Sequence, residues 1–129
     1  MSATNTRSTA DVLKRRALQL VAWSCLVVLG MLSLLPSAYL KRIGFGSHLE
    51  HFVAYFLTAG VFCLAYRSRR QSVIIVIVLA AAAAFFEIGQ YFSAGRTPAL
   101  GDWMASTTGV VAGGLISLLV ARLLPSRAS

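Results

Sequence analysis

Residues 72–92 read SVIIVIVLAAAAAFFEIGQYF, and this stretch decides the fold. It opens with a run of β-branched residues, which in a soluble protein would favour a buried strand. Its length, however, matches the roughly 20 residues that a helix needs to cross the hydrocarbon core of a bilayer. An open strand in lipid would leave backbone groups without hydrogen bonds, whereas a helix satisfies them internally. The stretch therefore predicts a transmembrane helix.

Three further apolar runs have a similar length, and they cover about residues 17–35, 49–66 and 103–124. Hydrophobic residues make up 57% of the chain and charged residues only 12%, whereas a soluble domain carries about 25% charged residues. Pro36 ends the first run, because proline disfavours the helical conformation in the residue before it. The sequence predicts an all-α integral membrane protein, a four-helix transmembrane bundle.

The first run has one alternative interpretation, a cleaved signal peptide. Basic residues precede it, and the small residues Ser37 and Ala38 follow it. The apolar part of a signal peptide is usually only about 7–15 residues long, and residues 17–35 exceed that length. We therefore expect a retained helix.

The domain organisation follows from these runs. We expect an amino-terminal arm at 1–16, one transmembrane domain at 17–124 and a tail at 125–129. Nine of the 12 basic residues flank one side of the predicted bundle (Arg7, Lys14, Arg15, Arg16, Arg67, Arg69, Arg70, Arg122, Arg127), and three flank the other (Lys41, Arg42, Arg96). Because cytoplasmic loops carry the excess of Lys and Arg, both termini are predicted to be cytoplasmic.

The formal net charge of +8 raises the question of nucleic-acid binding. The basic residues stand in short segments between apolar runs, as residues that flank membrane spans do. Nucleic acid is therefore not expected as a partner. Cys25 and Cys63 lie inside apolar runs, where a thiol packs as a small hydrophobe, so no disulfide framework is expected.

Polar residues gather toward the predicted outer side of the bundle. Glu87 is the most informative, because it lies about five residues inside its span, and an ionisable group at that depth usually faces protein or a wet cavity. Gln90 and Tyr91 follow at helical spacing on the same side. Arg96, in the loop at 93–101, is the predicted counter-ion of Glu87 or Asp102.

The second and fourth spans add to this cluster. His48, His51 and Tyr55 recur at steps of three and four and form one helical stripe. Asp102 and Glu50 each stand near the start of a predicted helix.

Each of these residues also has a purely structural explanation. Asp102 and Glu50 suit the positive end of a helix dipole, and His48 can sit in headgroup water. His51 and Tyr55 can hydrogen-bond between helices. Glu87 with Arg96 can lock the bundle as an ion pair.

Gly109 and Gly113 form a small-xxx-small pattern in the fourth span, which lets a neighbouring backbone approach closely. We expect this pattern to pack helices within one bundle rather than to form a dimerisation face.

These polar segments resemble the VanZ-like membrane family. Residues 47–56 (SHLEHFVAYF) resemble its Asp-Lys-x-x-His-Phe-x-x-Tyr signature, residues 87–96 (EIGQYFSAGR) its Glu-x-x-Gln-x-Phe-x-x-x-Arg segment, and residues 102–109 (DWMASTTG) its Asp-x-x-x-Asn-x-x-Gly close. Ser47 and His48 replace the Asp-Lys pair, and Ser106 replaces the Asn. The resemblance implies a functional cluster of His51, Tyr55, Glu87, Gln90, Arg96 and Asp102, with Gly109 retained.

The resemblance also implies a multi-pass protein of the bacterial cytoplasmic (inner) membrane, associated with resistance to the lipoglycopeptide teicoplanin. Our first hypothesis is a non-enzymatic protein that acts on or near an envelope lipid or amphiphile, with Arg96 on an anionic headgroup. The second is an intramembrane enzyme for a lipid-linked substrate, with Glu87, His51 and Asp102 as candidate acid and base groups. The third is a structural partner in a membrane complex.

No cofactor is predicted. A metal site from His48, His51 and a carboxylate has only weak support, because His-x-x-His occurs easily by chance. The expected partners are membrane lipids and an envelope lipid or lipoglycopeptide. The oligomeric state is left open.

Overall fold

The computed structural model describes residues 8–41 and 44–123, and within them the chain forms four long helices and no strand. These are α1 (Thr9–Leu34), α2 (Ser47–Ala65), α3 (Arg69–Gly89) and α4 (Leu100–Leu123). Each is long and apolar enough to cross a membrane. The predicted all-α, four-helix membrane fold is confirmed.

The first helix begins earlier than the sequence indicated. α1 starts at Thr9, so that part of the predicted arm at 1–16 is helical. Nothing between Thr9 and Ala17 breaks a helix, and Asp11 in the first turn suits the positive end of the dipole. Residues 1–7, Arg42, Ile43 and 124–129, which include the predicted tail, lie outside the described residues.

The third helix ends earlier than predicted. α3 ends at Gly89, and a 3₁₀ turn at Gln90–Phe92 follows it directly. A tighter last turn is a common way to satisfy the carbonyl groups at a helix end. The turn rotates the chain, so Gln90 is buried while Tyr91 is 74% exposed.

The four helices alternate in direction. The ends of α1 and α3 and the starts of α2 and α4 therefore lie together, and we call this the site end of the bundle. Hydrogen bonds across it join Ser47 to Asp102 and Ser93 to Leu34. The opposite end carries the exposed arginines of the α2–α3 turn, and we call it the basic end.

The closest helix pair is α2 and α4. A Cβ atom added at Gly109 would overlap the backbone carbonyl oxygen of Phe52, and one added at Gly113 would overlap that of Phe56. Only glycine allows two backbones to approach so closely. This contact fixes the depth of α4 against α2, and with it the polar residues at the starts of both helices.

Candidate functional site

Asp102 is the centre of the polar contacts at the site end. It lies in the first turn of α4, and the residue is only 8% exposed. The Ser47 hydroxyl donates to its Oδ2 at 2.7 Å, and Nδ1 of His48 lies 2.6 Å from its Oδ1. Because an ionised carboxylate only accepts hydrogen bonds, His48 donates from Nδ1. The first turn of α4 adds its positive dipole end to the same carboxylate.

His51 extends this group one turn deeper. Its Nδ1 lies 3.2 Å from the Ser106 hydroxyl, and its Nε2 lies 3.7 Å from Oδ2 of Asp102. Ser106 is one turn beyond Asp102 on α4, as His51 is one turn beyond Ser47 on α2. We call Ser47, His48, His51, Asp102 and Ser106 the Asp102 cluster.

Three members of the Asp102 cluster, Ser47, His48 and Ser106, were absent from the predicted functional cluster. His48 was predicted only to share a helical stripe with His51, and the two serines were not predicted at all. A signal for both serines was present in the sequence. Ser47 lies four residues before His51, and Ser106 lies four residues after Asp102, so each shares a helix face with a predicted residue.

Glu87 makes a separate set of contacts. The residue is 8% exposed, and its Oε1 accepts a 2.5 Å hydrogen bond from the backbone N–H of Ala99. The Gln90 amide donates to its Oε2 at 3.5 Å. Tyr55 is buried, with Ser33 and Glu87 as the polar neighbours of its hydroxyl group. Glu87 thus fastens the loop that leads into α4.

Arg96 does not form the predicted ion pair. Its Nη2 donates to the backbone oxygens of Leu32 and Ser33, at 2.9 and 3.1 Å. Among the described residues no ion pair joins it to Glu87 or Asp102. The physical reason is that the last carbonyl groups of α1 have no helical partner and carry the negative end of its dipole. The prediction of Arg96 as a carboxylate counter-ion was wrong.

A family model described as VanZ/LLP1 matches residues 8–121 of the chain. The chain belongs to the VanZ/LLP1 family. No curated protein and no solved structure matches it significantly. It is a VanZ-family membrane protein with four candidate spans.

In this VanZ-family protein the predicted single cluster divides into three groups. His51 and Asp102 belong to the Asp102 cluster, whereas Glu87 binds the Ala99 amide and the Gln90 side chain, and Arg96 caps α1. Glu50 is half-buried, and its Oε1 has no hydrogen-bond partner among the described residues. Of these three groups, only the Asp102 cluster joins buried residues, Asp102 and Ser106, to a largely exposed polar side chain.

That exposed side chain is His48. Its side chain is 70% exposed although Nδ1 is held by Asp102. The ring is therefore fixed in direction and most of it remains accessible. Its Cε1–Nε2 edge lies beside Gly101, where an added Cβ atom would stand 3.1 Å from Nε2. A neutral ring bonded in this way presents Nε2 as an acceptor, and a protonated ring presents it as a donor.

Exposed aromatic residues stand at the same end of the bundle. Tyr39, Phe45, Tyr91 and Phe92 are 75%, 71%, 74% and 91% exposed, respectively. Tyrosine side chains favour the headgroup level of a bilayer. We call these four residues the aromatic rim of the site end.

Metal binding has no support from the described part of the chain. No three His, Cys, Asp or Glu side chains there are grouped so that they could hold a metal ion.

Proposed function

We propose that this VanZ-family protein binds the polar headgroup of envelope amphiphiles at its site end, without catalysing a reaction. Teicoplanin, the amphiphile that the family resemblance indicates, is proposed as one such ligand, and its capture lowers the susceptibility of the cell. The site end is proposed to face outward from the bacterial cytoplasmic membrane, in accord with the distribution of basic residues.

The observation that carries this proposal is the exposed, fixed imidazole of His48. A side chain whose direction is set before binding loses little conformational freedom when a ligand arrives. Asp102 supplies that fixation, and Ser47 and the α4 dipole stabilise the carboxylate in turn. His48 replaces Arg96 as the headgroup contact that we propose.

An amphiphile also needs a surface for its apolar part. Leu49 and Val53 follow His48 on the outward face of α2 and are 49% and 43% exposed. The aromatic rim flanks the same region at headgroup level. A polar contact at His48 with apolar surface below it suits an amphiphile inserted in the bilayer rather than a soluble ligand.

The proposal is tested by teicoplanin susceptibility in a bacterial host that the wild-type protein protects. We expect His48→Ala to lose most of the protection at unchanged membrane abundance. The matched control is Asp11→Asn, which removes an exposed charge at the basic end and should protect like the wild type. Full protection by the His48→Ala protein would overturn the proposal.

The enzymatic alternative has one observation in its favour, the contacts of His51 with both Ser106 and Asp102. A serine, a histidine and a carboxylate in series are the parts of a nucleophilic site. Ser106, however, is only 2% exposed, and Glu87 is engaged by the Ala99 amide. The test compares the envelope lipids of cells that carry the wild-type protein with those of cells that carry Ser106→Ala. A chemically altered lipid that is present only with the wild type would favour the enzyme.

A further inference from the structure

A groove opens on the lipid-facing surface near the basic end, far from the Asp102 cluster along the helices. It has a volume of about 280 Å³ and lies between α1 and α3, with α2 as its floor. Its apolar walls are formed by seven side chains, among them Trp23 and Leu26 of α1, Phe62 of α2, and Ile74 and Leu79 of α3. From Gln71 to Leu79 it follows α3 for about 12 Å, which fits within one leaflet of the roughly 30 Å hydrocarbon core.

The mouth of the groove is polar and cationic. Tyr66 and Gln71 line it, and the Tyr66 hydroxyl accepts a 3.0 Å hydrogen bond from the Trp23 indole. Its own proton is donated to no acceptor among the described residues. Arg67 stands in the turn between Tyr66 and Gln71, and Arg70 lies one turn before Ile74 on the groove face of α3. Both arginines are exposed.

The α1 side of the mouth is cationic as well. Arg16 lies seven residues before Trp23, which places it on the same face of α1 about two turns nearer the basic end. Asp11 is the only carboxylate side chain of the chain near this end, since Glu50, Glu87 and Asp102 all lie in the other half of the bundle. No described ion pair involves Arg16, Arg67 or Arg70. The charge at the mouth is thus uncompensated by the protein.

We infer that the groove is a binding site for one anionic phospholipid of the surrounding leaflet. An acyl chain fills the apolar part between Trp23 and Leu79, and the phosphate meets Arg67 and Arg70, with Tyr66 as hydrogen-bond donor. The charge decides the occupant, because juxtamembrane arginines attract anionic headgroups and disfavour a second copy of this equally basic chain. The inference is independent of the function proposed for the site end.

The two tryptophans of the chain allow a direct test. Trp23 lines the groove, whereas Trp103 lies on α4 and donates to the Ala80 carbonyl oxygen at 3.4 Å. The full-length Trp103→Phe protein, reconstituted in bilayers, leaves Trp23 as the only indole. Its fluorescence is measured with bromine-labelled acyl chains carried on phosphatidylglycerol or, at the same mole fraction, on phosphatidylcholine.

We expect brominated phosphatidylglycerol to quench Trp23 with an apparent affinity at least about fivefold above that of brominated phosphatidylcholine. Arg67→Gln with Arg70→Gln should abolish the difference. Arg122→Gln, which removes an exposed charge of α4 at the same end but away from the groove, should preserve it. In the Trp23→Phe protein, Trp103 should be quenched equally by both lipids.

Equal quenching of Trp23 by the two lipids would mean an ordinary boundary contact and would overturn the inference. Absence of quenching by either lipid would also overturn it, because protein rather than lipid would then cover the groove.

Discussion

Asp102 and His48 are joined by a 2.6 Å contact between Oδ1 and Nδ1, although 54 positions separate them in the chain. The contact ties the start of α4 to the start of α2. It can form because Gly109 and Gly113 bring the two backbones together below it. The packing of small residues and the direction of an exposed imidazole are therefore parts of one arrangement.

The glycine contact gives the first prediction. Gly109→Ala places a Cβ atom against the Phe52 carbonyl oxygen, and the helices must separate to admit it. We expect the free energy of unfolding in detergent micelles to fall by roughly 1–3 kcal/mol. Gly60→Ala is the matched control, since its Cβ would meet only the Ser117 hydroxyl at 3.7 Å. Equal stability of the two variants would contradict the packing described for α2 and α4.

The second prediction concerns Arg96. Arg96→Ala removes both donors to the end of α1, and we expect a loss of roughly 1–3 kcal/mol in unfolding free energy. Arg96→Lys should restore part of it, because an ammonium group can still donate to one carbonyl oxygen. Thermal unfolding of both variants, with the exposed Arg69→Ala as control, measures the effect. If Arg96→Ala and Arg69→Ala have the same melting temperature, Arg96 does not cap α1.

Arg96 also shows where prediction from sequence reached its limit. The four helices could be predicted because the bilayer fixes the length of an apolar run. The start of α1 at Thr9 could not be predicted in this way, because a helix can begin outside the apolar stretch that crosses the membrane. The partners of Arg96 are backbone oxygens, and no residue type marks these in a sequence.

The Asp102 cluster shows a second limit of prediction from sequence, which is the position of one helix relative to another. His51 and Asp102 were predicted from residue type and from the family resemblance. Ser47 and Ser106 were noted only as departures from the family pattern. Their place beside Asp102 depends on the register of α2 against α4, which the approach of Gly109 to Phe52 sets and which spacing within one helix does not reveal.

The third prediction concerns Glu87 and the loop that it fastens. Glu87→Ala removes the acceptor of the Ala99 amide, so that hydrogen exchange at Ala99 should become at least about tenfold faster. Glu87→Gln keeps an acceptor oxygen at the same position and should show a smaller increase. Unchanged exchange at Ala99 in Glu87→Ala would show that another group holds the loop.

The fourth prediction concerns orientation. In a background in which Cys25 and Cys63 are replaced, single cysteines at the exposed positions Phe45 and Ala94 should react in whole cells with a maleimide that does not cross the membrane. A cysteine at the exposed position Ser68 should react only after the cells are opened. Labelling of Ser68→Cys alone in intact cells would invert the predicted topology.

The most direct test of the proposed function is the binding of teicoplanin to the full-length protein in lipid nanodiscs, measured by surface plasmon resonance against empty nanodiscs. We predict saturable binding to the wild type and to Asp11→Asn, and binding at least about tenfold weaker for His48→Ala, which loses the fixed polar contact. Binding to His48→Ala equal to that of the wild type, or no binding above empty nanodiscs for any variant, would contradict the proposal.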